Sequence, residues 1–369
     1  MSVSSVMEDK LDLIALCAVP DLGPVTIRKL ISAFGSPSEV FRASYRELRS
    51  VENIGEERAK NIKEFKGRDE LARAVEKLVD EGVKVVAEGS AEYPEALKGI
   101  SADAPLVLFV KGDIIKEDMY AVAIVGSRKL SPYGASVTEK ISAELAGMGF
   151  TVVSGLARGI DTAAHRGSLA AGGRTIGVMG SGIDVPYPPE NKGLMERLAG
   201  SGCVISEFPP GMPPNRENFP RRNRLISGLS MGVLVVEADI KSGALITARY
   251  ALDQGKEVFA VPGNINSPTS RGPNELIKRG ARPVTSAEDI VEELAPVLKG
   301  FIKKGKKRER VEVSDEERAL CDVMSGEPMH IDAITGKSGL SASKALHVLL
   351  ALELKGVVKQ VEGKKFHLV

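Results

Sequence analysis

The chain has 369 residues, 43% hydrophobic and 27% charged, with a formal net charge of +1. That length exceeds one small core, so two or three domains are expected, and near neutrality excludes a protein that coats nucleic acid with its whole surface while leaving a local basic groove open. The 3 cysteines, at positions 17, 203 and 321, form no CxxC and suggest neither a disulfide framework nor a zinc site.

The amino-terminal MSVSSVMEDKLD is too acidic for a secretion signal, and no apolar run reaches the roughly 18 residues of a membrane span. The reducing cytoplasm is the expected compartment, with no membrane contact. Residues 8–66 read as helical and contain two similar segments, LCAVPDLGPVTIRKLISAFG and LRSVENIGEERAKNIKEF. Each has an apolar residue, a Gly turn (Gly23, Gly55) and an amphipathic helix, which resembles paired helix-hairpin-helix units. Such turns offer backbone N–H groups to a phosphate. They equally suit a plain helical bundle with Gly terminating helices, and Glu56 and Glu57 stand where a phosphate wants cations.

From 83 to 298 short β-branched runs (VKVVA, LVLFV, AVAIVG, TVVSGL, RTIGVMG, CVISEF, GVLVVEA, EVFAVPG) alternate with helical segments such as 134–147 and 243–254. Continuous apolar strands alternating with helices predict an α/β domain whose sheet is mainly parallel and covered on both faces. Ligands bind such sheets beyond the carboxyl ends of the strands. The loops there are rich in small residues and carry cations: Gly126-Ser127-Arg128; Ser154-Gly155-Leu156-Ala157-Arg158-Gly159; Gly180-Ser181-Gly182; Lys241-Ser242-Gly243; Pro262-Gly263-Asn264. Bare amides and helix amino ends favour an anion there. Gly is also common in any tight turn between strand and helix, but several aligned turns bearing Arg128, Arg158 and Lys241 point to an anion site.

RENFPRRNR, residues 216–224, should enter a helix at the same rim. Arg221, Arg222 and Arg224 cannot all sit unpaired in a dry core. One is expected to pair with Glu217, Glu207 or Glu237, leaving the others to grip phosphate. Phe219 either stacks on a base or staples the core. His165 follows Arg158 by seven residues on one helix face and reads as structural. No GxxxxGK[ST], GxGxxG, Ser-His-Asp arrangement or HExxH is present, so no cofactor is expected. Cations spread over several loops suit a polyanion.

The motifs GSRKLSPYG, SGLARGIDTAAHRGSL, TIGVMGSGIDVPYPPEN, FPRRNRLISGLS, VLVVEAD, SGALITARYALDQGKEVFAVPG and SPTSRGPNELIKRGA, in that order, resemble the bacterial DNA-processing protein A family (DprA, also called Smf) across residues 84–285. The resemblance implies an extended Rossmann-like domain that binds single-stranded DNA without marked sequence preference, protects incoming strands, helps load RecA recombinase in natural transformation, and works as a homodimer without enzymatic activity. It implies a DNA-binding set of Gly126, Ser127, Arg128, Ser154, Gly155, Arg158, Gly159, Arg174, Arg221, Arg222, Asn223, Arg224, Lys241, Ser242 and Gly243. Replacing Arg128 or Arg224 by Ala is then expected to weaken binding with the fold intact. The alternative is a small-nucleotide enzyme of phosphoribohydrolase type, which would need a PGGxGT-like loop; here the strand ends at Glu237 and continues ADIKSGALITA.

Residues 299–310, KGFIKKGKKRER, hold seven cations and one Glu and read as a basic linker. After it come three helices and a hairpin around Glu362-Gly363, in winged-helix order, but the third helix offers only Lys344 and His347 as polar readers. The expected organisation is therefore a helical helix-hairpin-helix/SAM-like domain (1–66), the Rossmann-like domain (67–298), a linker (299–312) and a winged-helix-like domain (313–369).

Overall fold

The computed structural model describes residues 3–100, 103–298, 315–324, 328–354, 357–361 and 365–368. The basic run 299–310 and the Glu362-Gly363 turn lie outside them. The chain divides into two compact units, residues 1–303 and 304–369.

The first unit opens with six helices: α1 (Val3–Ala18), α2 (Pro24–Phe34), α3 (Pro37–Arg42), α4 (Tyr45–Ser50), α5 (Glu56–Glu64) and α6 (Arg68–Asp80). The two repeated segments have one backbone solution. Gly23 is the N-cap of α2 and Gly55 that of α5, and two residues before each stands a left-handed residue, Asp21 (φ 60) and Asn53 (φ 67). Asp and Asn are the types that tolerate that conformation. The first hairpin is turned inward and the second outward, with Gly55, Glu56 and Glu57 exposed. The helices are not a detached bundle. Leu16, Leu30, Leu48 and Ile62 share one core with Val107, Phe109, Leu198 and Val204 of the sheet region. Arg28 of α2 donates to the Glu88 carboxylate (2.8 and 3.1 Å) and to the Ala104 carbonyl (2.9 Å).

The remainder of this unit alternates β1 (Val83–Ala87), α7 (Glu95–Lys98), β2 (Val107–Gly112), β3 (Ala121–Val125), α8 (Pro132–Gly147), β4 (Thr151–Ser154), α9 (Ile160–Ala170), β5 (Thr175–Val178), α10 (Lys192–Ser201), β6 (Cys203–Ser206), α11 (Asn218–Gly228), β7 (Gly232–Val235), α12 (Gly243–Asp253), β8 (Glu257–Ala260), α13 (Arg271–Lys278), β9 (Arg282–Pro283) and α14 (Ala287–Leu294). The nine strands form one sheet in the order β1-β2-β6-β5-β4-β3-β7-β8-β9. The seven from β6 to β9 run parallel, and β1 and β2 add antiparallel pairs at one edge. Period-2 alternation sorts the strands between the two helical layers. Ala121, Ala123, Val125, Val233 and Val235 face Leu225, Ile226, Ala244 and Ala248 of α11 and α12. Val122, Ile124, Val152 and Leu234 face Ile141 and Leu145 of α8, Ile160 of α9 and Ile290 of α14. Strand order reverses between β3 and β7: β4, β5 and β6 follow on one side, β8 and β9 on the other. Such a reversal opens a crevice at the carboxyl ends.

His165 has the structural setting expected of it. It is fully buried on α9, and Nδ1 lies 2.7 Å from Thr175 Oγ1, which itself donates to the Val152 carbonyl (2.8 Å). Nδ1 is therefore the protonated nitrogen. Burial, with the Arg222 charge adding to it, pushes the imidazole down to about 3. The unfolded chain takes up this proton near pH 6.5 and the folded chain refuses it, so stability is lost as pH falls from about 6.5 toward about 3. The slope reaches about 1.4 kcal/mol per pH unit. Urea unfolding between pH 7.5 and 5 should show it, and the slope should shrink in His165→Gln; an identical slope in the variant would exclude His165 as its source.

The second unit contains α15 (Asp315–Val323), β10 (Met329–His330), α16 (Ile331–Ser338), α17 (Ala342–Leu354), β11 (Val358–Val361) and β12 (Lys365–Leu368), with strand order β10-β12-β11, a winged-helix arrangement. Its core is Leu320, Ile334, Leu349, Leu352 and Phe366. On α17, Lys344, Leu346 and His347 are exposed. Among the described residues no helix is long and apolar enough to cross a membrane.

Candidate functional site

A cleft of about 730 Å³ opens at the reversal point, above the carboxyl ends of β3, β4 and β7. The loop after β3 forms one wall, and it is pinned by its backbone. The Ser127 N–H donates to the Glu237 carbonyl (2.6 Å), and the Ser127 carbonyl accepts from Ile160 N–H (3.1 Å). Its hydroxyl donates to the Lys129 carbonyl (2.7 Å) and accepts from Lys129 N–H (3.1 Å). The loop after β4 lies directly behind: Gly159 has φ +78, and a Cβ there would stand 2.2 Å from the Ser127 carbonyl oxygen. No other residue type fits both the space and the angle. The exposed Arg128 side chain faces the cleft. Its guanidinium stands 5.2 Å from the Phe219 ring centroid, a cation–π contact.

The floor is a buried pair. Arg222 donates to the carbonyls of Gly155 (2.6 Å) and Val178, and its Nε donates to Asn223 Oδ1 (3.2 Å). Asp161 accepts from the N–H groups of Gly155 (3.1 Å) and Ala157 (3.4 Å). A Cβ at Gly155 would meet both side chains at 2.7 Å, so glycine is what lets them converge. Burial pulls Arg222 down to about 10, with Asp161 opposing and Arg128 assisting, so it stays cationic at neutral pH. Burial raises Asp161, and Arg222 is the main opposing influence. Arg216, exposed on the segment before α11, adds a third guanidinium. Asp161 is the one carboxylate among the lining residues.

Helix amino ends differ in what they offer. That of α8 is filled: the Glu237 carboxylate accepts from Ser131 N–H (2.9 Å), Ser131 Oγ (2.6 Å) and Thr269 Oγ1 (3.2 Å). At α9 the loop amides go to Asp161. At α12 the Ser242 hydroxyl accepts from Ala244 N–H (3.3 Å), the first turn holds no acid, and Ser242 and Gly243 line the cleft. The positive end of that helix therefore faces the opening.

Of the residues singled out from sequence, Gly126, Arg128, Arg222, Asn223, Ser242 and Gly243 line this cleft, with Gly155 and Gly159 packed directly behind it. Asn223 donates to the Gly243 carbonyl (3.2 Å), tying α11 to α12. Ser127 shapes its own turn, and Ser154 is buried, donating to the Ile124 carbonyl (2.6 Å). Arg158 is exposed but paired with Glu190, and Lys241 is exposed beside the cleft without lining it. Three placements correct the expectation. Arg174 precedes β5, at the amino edge of the sheet, and binds Asp118 (2.9 Å) and the Asp113 carbonyl (2.8 Å). Arg221 turns to the opposite side of α11, over the Phe208 ring at 5.5 Å. Arg224 is buried there, paired with Glu207 and Asp103. Helix geometry is the reason: at 100° per residue, positions 222 and 224 diverge by about 200°, whereas 219 and 222 share one side and 221 and 224 the other. Arg216, Tyr187 and Asp161 were not picked out. Arg216 stood in the same arginine-rich run, Asp161 follows the Gly-rich loop after β4, and Tyr187 lies within the motif TIGVMGSGIDVPYPPEN.

Among the described residues no cluster of three or more His, Cys, Asp or Glu is placed to hold a metal ion. Residues 84–295 match the model of DNA recombination-mediator protein A, residues 304–364 the DprA winged helix domain, and residues 13–65 a SAM-like helix-hairpin-helix tandem. The chain is 45% identical over 225 residues to the DNA processing protein DprA of Bacillus subtilis (strain 168), covering 61% of this chain and 75% of that one. It is similar to the X-ray structure of DNA processing protein A from Streptococcus pneumoniae (TM-score 0.64, 34% identity, 79% of this chain and 99% of that one). It is also similar to DNA processing protein A from Helicobacter pylori, whose structure concerns a unique single-stranded DNA binding mode (TM-score 0.52, 31% identity, 58% and 96%).

Proposed function

The chain belongs to the DNA recombination-mediator protein A family, and on that premise we propose that its cleft holds single-stranded DNA by the backbone. The bound strand is protected and passed to RecA recombinase during natural transformation, in the cytoplasm and without enzymatic turnover. One observation carries the reading: Arg128, Arg216, Arg222 and the amino end of α12 converge on one cleft whose lining carboxylate is already paired internally. A single small ligand does not need that spread of positive charge; successive phosphates do.

The test is a salt titration on single- and double-stranded oligonucleotides. With the exposed Arg128 and Arg216 each engaging a phosphate, log K should fall against log[salt] with a slope at least as steep as about −1.4 on single strands. A salt-independent affinity, or one saturated by a mononucleotide, would overturn the reading. The phosphoribohydrolase alternative is less favoured because the two carboxylates at this rim are engaged: both Glu237 oxygens are hydrogen-bonded and Asp161 is buried near Arg222. Release of free base from nucleoside monophosphates would reinstate it.

The proposal includes a homodimer. Ile240 and Leu252, each 60% exposed, flank a cleft of about 450 Å³ together with Leu245 and Leu276. Apolar area of that kind is what a second copy would cover. Light scattering at micromolar concentration should give twice the mass of one chain, and Leu252→Lys should halve it; a monomeric wild type would refute this part.

A further inference from the structure

A carboxylate stands at the edge of the cleft, where a polyanion would meet it. Arg158 follows the lining residue Ala157 on the loop after β4, and Glu190 comes three residues after the lining residue Tyr187. Their side chains form an ion pair at 56% and 50% exposure. The backbones beneath them are fixed by other groups. Asn191 is buried, and its Nδ2 donates to the Leu156 carbonyl (2.8 Å) and to Thr162 Oγ1 (2.9 Å). The Thr162 hydroxyl in turn donates to the Ala157 carbonyl (2.7 Å). These bonds clamp the single helical turn Pro189–Asn191 against the loop that carries Arg158. Glu190 is thus held within reach of Arg158 by a buried network to which the pair itself contributes nothing.

We propose that Glu190 is a built-in competitor for phosphate, holding Arg158 while the cleft is empty and yielding it to the backbone of a bound strand, an inference that rests on the proposed function. A carboxylate offers a guanidinium the same kind of charged acceptor oxygens as a phosphate. Exposed ion pairs contribute little to folding and are screened by salt, so the protein exchanges one oxyanion for the other at little cost to its own stability. The buried pairs Arg222 with Asp161 and Arg224 with Glu207 have no such freedom. The effect of Glu190 is to hold affinity down. A strand must displace a tethered carboxylate to gain its contact with Arg158, and the carboxylate retakes the guanidinium as the strand leaves. That suits a protein that passes its strand on.

The experiment measures binding of a thymidine oligonucleotide by fluorescence anisotropy at several salt concentrations. It compares wild type, Glu190→Gln, and Glu190→Gln combined with Arg158→Ala, with circular dichroism of each sample. Glu190→Gln should bind up to about tenfold more tightly at low salt, the scale of one charge-assisted hydrogen bond. Its slope of log K against log[salt] should steepen by about 0.7, one phosphate more. Adding Arg158→Ala should cancel both gains. If Glu190→Gln matches a wild type that binds normally, in affinity and in slope, the competition is refuted and the phosphate cleft stands. If the gain survives the loss of Arg158, it comes from removing a negative charge alone and this assignment is overturned. If wild type does not bind the oligonucleotide, the cleft reading fails and the inference with it.

Discussion

Arg224→Ala should lose about 3–5 kcal/mol of folding stability, read as a lower urea midpoint, while leaving the DNA affinity of the remaining folded protein within about twofold. The arginine and its partner Glu207 are each 5% exposed in their side chains, and Glu207 Oε1 already has no hydrogen-bond partner. Burial raises the Glu207 carboxyl, and Arg224 is the first influence opposing that rise. Without the guanidinium the carboxylate is left buried and unpaired. Its folded pKa then moves further above the unfolded value, so the folded state holds the extra proton and the variant loses stability as pH rises through that window. Glu207→Leu combined with Arg224→Leu should recover most of the loss, because an apolar pair has no charge to strand. A stable Arg224→Ala with weakened DNA binding would overturn this placement and restore Arg224 to the site.

Replacing Arg128 and Arg216 together by Ala should have the opposite profile. Both are exposed, and the packing this removes is that of Arg128 on Phe219, about 0.5–1 kcal/mol. Single-strand affinity should fall about tenfold for each arginine, near a hundredfold together, in line with the strength of charge-assisted hydrogen bonds. The salt slope should flatten by about 1.4, two phosphates' worth. Anisotropy titrations at several salt concentrations, beside circular dichroism of the same samples, check both halves. An unchanged slope would remove these two side chains from the DNA path.

The sheet was legible because strands covered on both faces must be apolar at nearly every position, as AVAIV and GVLV are, and the rim loops follow from strand direction. The same logic would have set Arg174 aside, since it stands before a strand and not after one. Rotation about α11 was not legible. Leu225 and Ile226 fix which side of that helix meets the sheet, and only once they are seated do Arg222 and Arg224 part company. The filled amino end of α8 was equally hidden, because its carboxylate comes from Glu237, 106 residues away. The helical segment read as separable for a similar reason: its repeats are local, but the Phe109 and Val107 it covers lie beyond its end.

That single Glu237 carboxylate joins the end of β7, the first turn of α8 and Thr269, so segments on both sides of the strand reversal are stapled at one point. If the proposed cleft holds a flexible polymer, its walls there are already tied together by these bonds, and the entropic penalty of docking falls on the polymer, which must surrender its own torsional freedom. Strands stiffened beforehand by base composition would then meet a lower threshold than slack ones.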